Sequence, residues 1–143
     1  MNPCTEVAAN SAFIIDDTTD ARIGKKIENI SMVYDHVGGK KGNKPGFKNL
    51  TLGLFDGKSF NSLDFSLHMK KKLKAKQRKK QYKKLCDPRM PGAKRRKECS
   101  VDKITNALKM IKRAVKHGFK AKYVLVDSWF GSKGYIVSIP NTR

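Results

Sequence analysis

The sequence of 143 residues predicts one α/β domain built on a mixed sheet, and three features support this prediction. Two short apolar runs without polar alternation, one near each end of the chain, are typical of strands buried on both faces. Alternating segments between them predict antiparallel strands. An amphipathic stretch precedes the second apolar run, and this strand, helix, strand order places the last strand parallel to an earlier one.

The first predicted strand, over residues 12–17, is an apolar run that ends in two carboxylates. The polar residues 18–20 are expected to break it. A weaker strand is expected within residues 27–37, because apolar residues recur there with a period of two. These residues would share one face of the strand: Ile30, Met32 and Tyr34.

A β-hairpin is predicted over residues 47–67, because two alternating segments flank a turn sequence. Asp56-Gly57 is favoured in a two-residue type I′ turn, in which both central residues have positive φ. Each strand is expected to present three apolar residues on one side: Leu50, Leu52 and Leu54 in the first strand, and Leu63, Phe65 and Leu67 in the second.

The clearest helix is predicted over residues 100–117, with Ser100 as N-cap and Gly118 after its end. Its apolar stripe has spacings of four, three and four and consists of Ile104, Leu108, Ile111 and Val115. Residues 121–127 then form the second apolar run, which predicts a buried strand that ends in a carboxylate.

The positive charge is concentrated in one segment. The chain has 32 Lys and Arg against 12 Asp and Glu, a net charge of +20. Residues 70–97 hold 15 of these cations and one acid, a balance of +14 in 28 residues. A solvated lysine-rich face is the plainest interpretation, but this density favours contact with nucleic acid. Lysine outnumbers arginine eleven to four there, which favours phosphate contact over base recognition.

Several protein classes are excluded by composition. A membrane helix needs about 20 apolar residues, and the apolar runs here are only a few residues long. The N-terminus lacks the pattern of a secretory signal. Three cysteines cannot all pair, and an intracellular basic protein would keep them reduced. We therefore expect neither a membrane protein nor a disulfide scaffold.

Both apolar runs end in an aspartate that is followed by a hydroxyl residue, Asp17-Thr18 in one and Asp127-Ser128 in the other. If the two strands are parallel neighbours, the carboxylates emerge at one edge of the sheet, where α/β sheets bind ligands. Such a pair suits Mg²⁺ or Mn²⁺ and could support two-metal phosphodiester cleavage. The structural alternative is that each aspartate only caps the turn after its strand.

Seven segments of the chain carry a family resemblance: FIIDDT (13–18), GKKIE (24–28), VYDH (33–36), LGLFDGKSF (52–60), LDFSLH (63–68), ALKMIKRA (107–114) and YVLVDSWF (123–130). Through them, the chain from about residue 12 to residue 130 resembles the catalytic domain of bacterial insertion-sequence transposases of the DDE superfamily. That resemblance implies a ribonuclease-H-like α/β fold, a mixed sheet of antiparallel strands plus a parallel strand after a helix.

The resemblance also implies catalytic roles. The Asp-Thr pattern of the family assigns the first metal-binding acid to Asp17, with Asp16 as the fallback, and the second to Asp127. Adjacent strand residues point to opposite faces, so one of the tandem pair is expected to face Mg²⁺ or Mn²⁺. The family also uses a Glu on a later helix, but no acid follows Asp127 here. The fold is therefore expected to be incomplete at its C-terminus.

The implied function is transposition, in which metal-dependent chemistry cleaves transposon DNA and transfers its strands. The chain is expected to be a truncated or inactive fragment of such a transposase. The alternative is a non-enzymatic basic protein that binds nucleic acid. The expected partners are transposon ends and target DNA, with a homodimer in the full-length protein and a cytoplasmic, nucleoid-associated location in bacteria.

The expected organisation is a flexible lead-in over residues 1–11 and a partial catalytic domain over 12–143, with a basic insertion at 69–99. The residues expected to contact DNA all lie in that insertion. They are Lys70, Lys71, Lys72, Lys74, Lys76, Arg78, Lys79, Lys80, Lys83, Lys84, Lys94, Arg95, Arg96 and Lys97.

Overall fold

The computed structural model describes residues 10–24, 26–35, 42–69 and 85–130. Five strands, two helices and one 3₁₀ turn form this part of the chain. In chain order they are β1 (Ala12–Ala21), β2 (Ser31–Asp35), β3 (Gly42–Phe55), β4 (Phe60–His68), α1 (Pro91–Glu98), α2 (Lys103–Lys116), β5 (Tyr123–Val126) and the 3₁₀ turn Ser128–Phe130.

The five strands form one mixed sheet. Its order is β2-β3-β1-β5, and β4 pairs with β3. β2 and β3 are antiparallel, whereas β1 and β5 are parallel, with Ala12 opposite Tyr123 and Ile15 opposite Val126. Helix α2 lies in the connection that leads to β5. The predicted α/β class is therefore confirmed, including the parallel strand that follows a helix.

The described residues divide into two compact units. The first unit contains residues 10–16, 51–65 and 104–130, and the second contains the remaining described residues between 17 and 103. Each unit has its own buried residues. Those of the second unit include Ile30, Val33, Phe47 and Leu50.

The core of the first unit combines strand residues with one face of α2. Phe13, Ile15 and Leu52 are fully buried. The buried helix residues are Asn106, Ala107, Met110, Ile111 and Ala114, and the last four have the i, i+3, i+4, i+7 spacing of a helix face. The predicted stripe shares only Ile111 with this face. Small alanines allow a helix backbone to pack closely, and the larger Leu108 and Val115 flank the contact.

The ends of α2 are set by local hydrogen bonds. The helix starts at Lys103, three residues later than predicted, because the Ser100 hydroxyl donates to the Lys97 carbonyl instead of capping α2 (3.0 Å). At the other end, Gly118 has φ of 89°, and Phe119 N–H donates to the Ala114 carbonyl (3.1 Å). This is a Schellman ending, so the prediction of Gly118 as the residue after the helix is confirmed.

β1 is longer than predicted, because residues 18–20 continue the strand to Ala21 instead of breaking it. Threonine is β-branched and is favoured in strands. The Lys48 ammonium donates to the Thr19 hydroxyl (2.6 Å), and Arg22 N–H donates to the Pro45 carbonyl (2.8 Å). Pairing with β3 therefore outweighs the turn preference of the polar sequence.

β2 has the predicted period of two, and Met32 and Tyr34 share a face as predicted, but that face is the exposed one. Ser31, Val33 and Asp35 are buried, whereas Met32 and Tyr34 are exposed. The inward carboxylate of Asp35 is tolerated because the Lys44 ammonium forms an ion pair with it (2.8 Å). A count of apolar residues alone could not detect this arrangement.

In β4, too, the face that carries the predicted apolar residues is not the most buried one. Phe65, on the predicted apolar side, is 53% exposed, whereas Ser66 and His68 are buried. Arg113 donates from Nε and Nη2 to the Asp64 carboxylate (2.9 and 2.7 Å), and His68 hydrogen-bonds the Val101 carbonyl (3.0 Å). Polar partners within the fold therefore make the polar side of this strand the buried one.

The hairpin is confirmed, but its turn is not the predicted type I′ turn on Asp56-Gly57. Within that turn only Gly57 has positive φ, at 97°. Asp56 N–H donates to the Ser59 carbonyl (3.2 Å), so residues 56–59 form a four-residue connection. Amide groups of Lys58 and Ser59 donate to the Asp56 carboxylate, which lowers the pKa of Asp56 to about 2.

No helix in the described parts of the chain is long and apolar enough to cross a membrane.

Gly46 is a position where the fold requires glycine. A Cβ there would collide with the Asp20 carbonyl oxygen and would lie 3.1 Å from Val33 Cγ2. We expect Gly46→Ala to lower the free energy of unfolding by about 1–3 kcal/mol, because backbone atoms would have to move. Chemical denaturation measures the loss.

Gly53→Ala is the matched control for this prediction. A Cβ at Gly53 would meet the ring of Phe60, which is exposed and can rotate away. Its loss of stability should therefore be smaller. A loss equal to or larger than that of Gly46→Ala would contradict this account.

Candidate functional site

Two aspartates stand directly after neighbouring parallel strand segments. Ile15 of β1 is paired with Val126 of β5, and the residues that follow them in the sequence are Asp16 and Asp127. Adjacent strands of a sheet lie about 4.8 Å apart. The pairing therefore brings the carboxyl ends of both runs to one edge of the sheet, as predicted from the sequence.

The alternation of side chains places Asp16 and Asp17 on opposite faces of β1. Ile14 and Leu125 are register partners and share a face of the sheet. Asp16 lies two residues beyond Ile14, on the same side of β1, and Asp127 directly follows the last residue of β5. Both aspartates are exposed. Asp17 lies two residues after the buried Ile15, so the two side chains share the opposite face of β1.

This face of β5 is open. Tyr123 is 50% exposed and Leu125 is 52% exposed, so the prediction that β5 is buried on both faces is wrong. The Lys122 ammonium lies 5.6 Å from the centre of the Tyr123 ring, a cation–π contact. The acidic edge therefore adjoins a surface that a ligand can reach.

Asp17 has a partner of its own in the second unit. Its carboxylate forms an ion pair with the Lys103 ammonium at the start of α2, and the two side chains are 23% and 22% exposed. This pairing occupies the carboxylate that the family pattern assigned to the metal. The assignment to Asp17 remains a prediction, and exposure together with position favours Asp16.

Comparison with known families identifies this arrangement. The family model described as "DDE superfamily endonuclease" matches residues 3–142. The chain belongs to the DDE superfamily endonucleases. The match and the mixed sheet confirm the predicted resemblance and the ribonuclease-H-like α/β fold. Comparison with curated proteins and with solved structures gave no match.

Membership has three direct consequences for this DDE endonuclease chain. The family is one of nucleases, its substrate is DNA, and its members generally use divalent metal ions. Two adjacent carboxylates are donors that Mg²⁺ and Mn²⁺ accept. Asp16 and Asp127 therefore fit part of such a site. Among the described residues, no three or more His, Cys, Asp or Glu side chains form a metal-binding group.

The basic segment of the DDE endonuclease chain is described only from residue 85 onward. Its C-terminal part forms α1, in which Lys94, Arg95 and Lys97 are exposed and Arg96 is half-buried. The other predicted DNA-contacting residues lie outside the described residues: Lys70, Lys71, Lys72, Lys74, Lys76, Arg78, Lys79, Lys80, Lys83 and Lys84. Most of the predicted lead-in, residues 1–9, also lies outside them.

His68 is a buried titratable group that the sequence did not identify as special. Its Nδ1–H donates to the Val101 carbonyl (3.0 Å). Burial is the largest influence and lowers the pKa of His68, and the Lys103 charge lowers it further. The hydrogen bond and the carboxylates of Asp102 and Asp17 act in the opposite direction. The only sequence signal was a histidine directly after the predicted strand that ends at residue 67.

The Asp17–Lys103 pair predicts a difference between the tandem aspartates. Asp17→Asn should lower the free energy of unfolding by about 1–3 kcal/mol, because it leaves a partly buried ammonium without its carboxylate. Asp16→Asn, at an exposed position, should change it by no more than about 0.5 kcal/mol. Urea denaturation of both variants measures the difference, and equal losses would contradict the prediction.

His68 predicts a pH dependence of stability. Its pKa in the fold lies below the unfolded value of about 6.5, so the unfolded chain takes up a proton first as the pH falls. The free energy of unfolding should therefore decrease from about pH 7.5 to pH 5.5. His68→Asn can still donate to Val101 and should weaken this dependence. Denaturation curves across the range provide the test, and unchanged slopes would refute it.

Proposed function

We propose that this DDE endonuclease domain is the catalytic core of a transposase that cleaves and transfers DNA strands, with Asp16 and Asp127 as its metal-binding acids. The observation that supports this proposal is the pair of exposed carboxylates that follow the parallel β1 and β5 segments. The sequence-based assignment, Asp17 with Asp127, is the alternative ligand pair.

Each carboxylate has a distinct role in this proposal. Asp127 accepts a hydrogen bond from the Ser128 hydroxyl (3.1 Å), which limits the orientations of its side chain. Asp16 would bind the ion from the neighbouring strand, on the same face of the sheet. A bound Mg²⁺ or Mn²⁺ supplies Lewis-acid stabilisation for phosphodiester cleavage. Without the ion, two adjacent carboxylates would repel the negative phosphate of DNA.

The proposed substrates are transposon ends and target DNA, held by the lysine-rich segment through their phosphates. A net charge of +20 on 143 residues gives strong, sequence-independent attraction to DNA. A protein that acts on DNA in this way would be found with the bacterial nucleoid. Assembly as a homodimer would allow two transposon ends to be processed together.

The complete family chemistry uses a third acid, and residues 128–143 contain no Asp or Glu. We therefore expect these 143 residues to bind metal ions but to turn over DNA poorly. Metal binding is for this reason a better first measurement than cleavage. It tests the two carboxylates without requiring the third.

We expect calorimetry to detect Mn²⁺ binding by the wild-type protein, with weaker Mg²⁺ binding. Asp16→Asn and Asp127→Asn should each lower the Mn²⁺ affinity at least tenfold, because each removes one of two charged ligands. Asp17→Asn should retain the affinity within about threefold, since its carboxylate is occupied by Lys103. Each variant is first shown to be folded by circular dichroism.

Asp20→Asn is the matched control, because Asp20 is also on β1 but pairs with Arg22 (2.7 Å). It should bind Mn²⁺ as the wild type does. Loss of binding in Asp17→Asn but not in Asp16→Asn would instead support Asp17 as the ligand. Absence of binding in the wild type would refute the proposed site and favour a non-enzymatic DNA-binding protein.

A further inference from the structure

We infer that helix α1 is an anchored element that contacts phosphates. Its two lysines touch the DNA backbone, whereas Arg96 holds the helix against the rest of the second unit. This inference rests on the proposed function in one respect only, that the partner is DNA. The sequence analysis gave one role to all four cations of the helix, Lys94, Arg95, Arg96 and Lys97, whereas this inference gives them different roles.

The inner side of α1 is defined by burial. Ala93 and Cys99 are 9% and 8% exposed, and Arg96 lies midway between them at spacings of three residues. Met69 N–H donates to the Cys99 carbonyl (3.0 Å), which links the end of the helix to the end of β4. Burial raises the pKa of the Cys99 thiol, as expected for an apolar contact.

Arg96 belongs to this inner side. Its Nε lies 3.3 Å from the Glu28 carboxylate, and the two side chains are only about one-third exposed. A guanidinium held in this way would lose its glutamate partner if it turned toward a phosphate. We therefore assign Arg96 to anchoring.

Arg95 is also engaged by a carboxylate. Its guanidinium donates to Glu98 one turn along the helix (3.1 Å), so its charge is balanced locally. Both arginines are therefore paired with glutamates. The lysines of the same helix give α1 its net positive charge.

Lys94 and Lys97 form the outer side. Both are exposed, and their spacing of three residues places their Cβ atoms about 5–6 Å apart on one helix face. Lysine is a hydrated point charge with a flexible stem, which suits contact with phosphate oxygens more than the reading of base edges. The helix sequence PGAKRRKE also has no aromatic side chain that could stack on a base.

The salt dependence of DNA binding tests this division of roles. Each neutralised phosphate contributes about 0.9 to the slope of log K against log salt. We expect Lys94→Gln/Lys97→Gln to reduce the slope by about 2, with an unchanged unfolding midpoint. Binding to a random-sequence duplex is measured by fluorescence anisotropy from low to moderate NaCl, in EDTA so that no metal ion contributes.

Lys109→Gln/Lys112→Gln is the matched control. These lysines are exposed, three residues apart and on α2, so the variant has the same net charge and the same helical spacing. It should retain the wild-type slope. Arg96→Gln should lower the unfolding midpoint. It should change the slope by less than about 0.9, which is the contribution of one phosphate contact.

Three outcomes would overturn the inference. Equal loss of slope in the two lysine variants would mean that the charge acts diffusely. A slope reduced by about 1 in Arg96→Gln, without loss of stability, would make Arg96 a DNA contact. No DNA binding by the wild type would remove the partner. A fourth outcome separates the two proposals. If the wild type binds no Mn²⁺ but the salt dependence of DNA binding has the expected slopes, the proposed metal site is refuted and this inference about α1 stands.

Discussion

The parallel pairing of β1 with β5 is the constraint on which the site depends. It aligns Ile15 with Val126, and the two following residues are acids. Parallel neighbours need a crossover, and α2 lies in the connection that provides it. Burial of Phe13 and Ile15 in the first unit, together with the buried face of α2, stabilises this arrangement. Without the pairing, acids more than a hundred residues apart would have no shared ligand.

The tandem aspartates show how a strand gives neighbouring residues different roles. Side chains alternate between the faces of a sheet, so Asp16 and Asp17 cannot face the same ion. Asp17 forms an ion pair with the Lys103 ammonium, and Asp16 is the more exposed of the two aspartates. In our proposal, the exposed carboxylate binds the metal ion and the ion-paired carboxylate helps to hold the chain. A motif of two acids in sequence does not distinguish these roles.

The same principle applies to the positive charge. The sequence places 15 cations in residues 70–97, but α1 pairs two of its own with glutamates. Arg96 contributes to the attachment of the helix, and the lysines contribute to its net charge. Charge density alone therefore overstates the number of residues that can meet a phosphate.

The sequence alone determined the class of fold, the hairpin, the Schellman ending of α2 and the parallel last strand, because apolar periodicity and turn chemistry are local properties. It also identified both acid-terminated runs and the family. The inward faces of β2 and β4 required the tertiary structure. Asp35 and His68 are buried there and Asp64 is half-buried, because Lys44, the Val101 carbonyl and Arg113 satisfy them.

The different surroundings of Asp16 and Asp17 were likewise beyond the sequence, because they depend on register and on a lysine 86 residues away from Asp17. Periodicity records which residues are apolar, but it does not record which polar groups will meet a partner. Only the folded chain brings those partners together. Because a buried polar group costs free energy unless it has a partner, these contacts decide which polar residues can be buried. The sequence therefore determined the class of fold and the family of this protein, whereas the tertiary structure decided which of its carboxylates and cations are exposed.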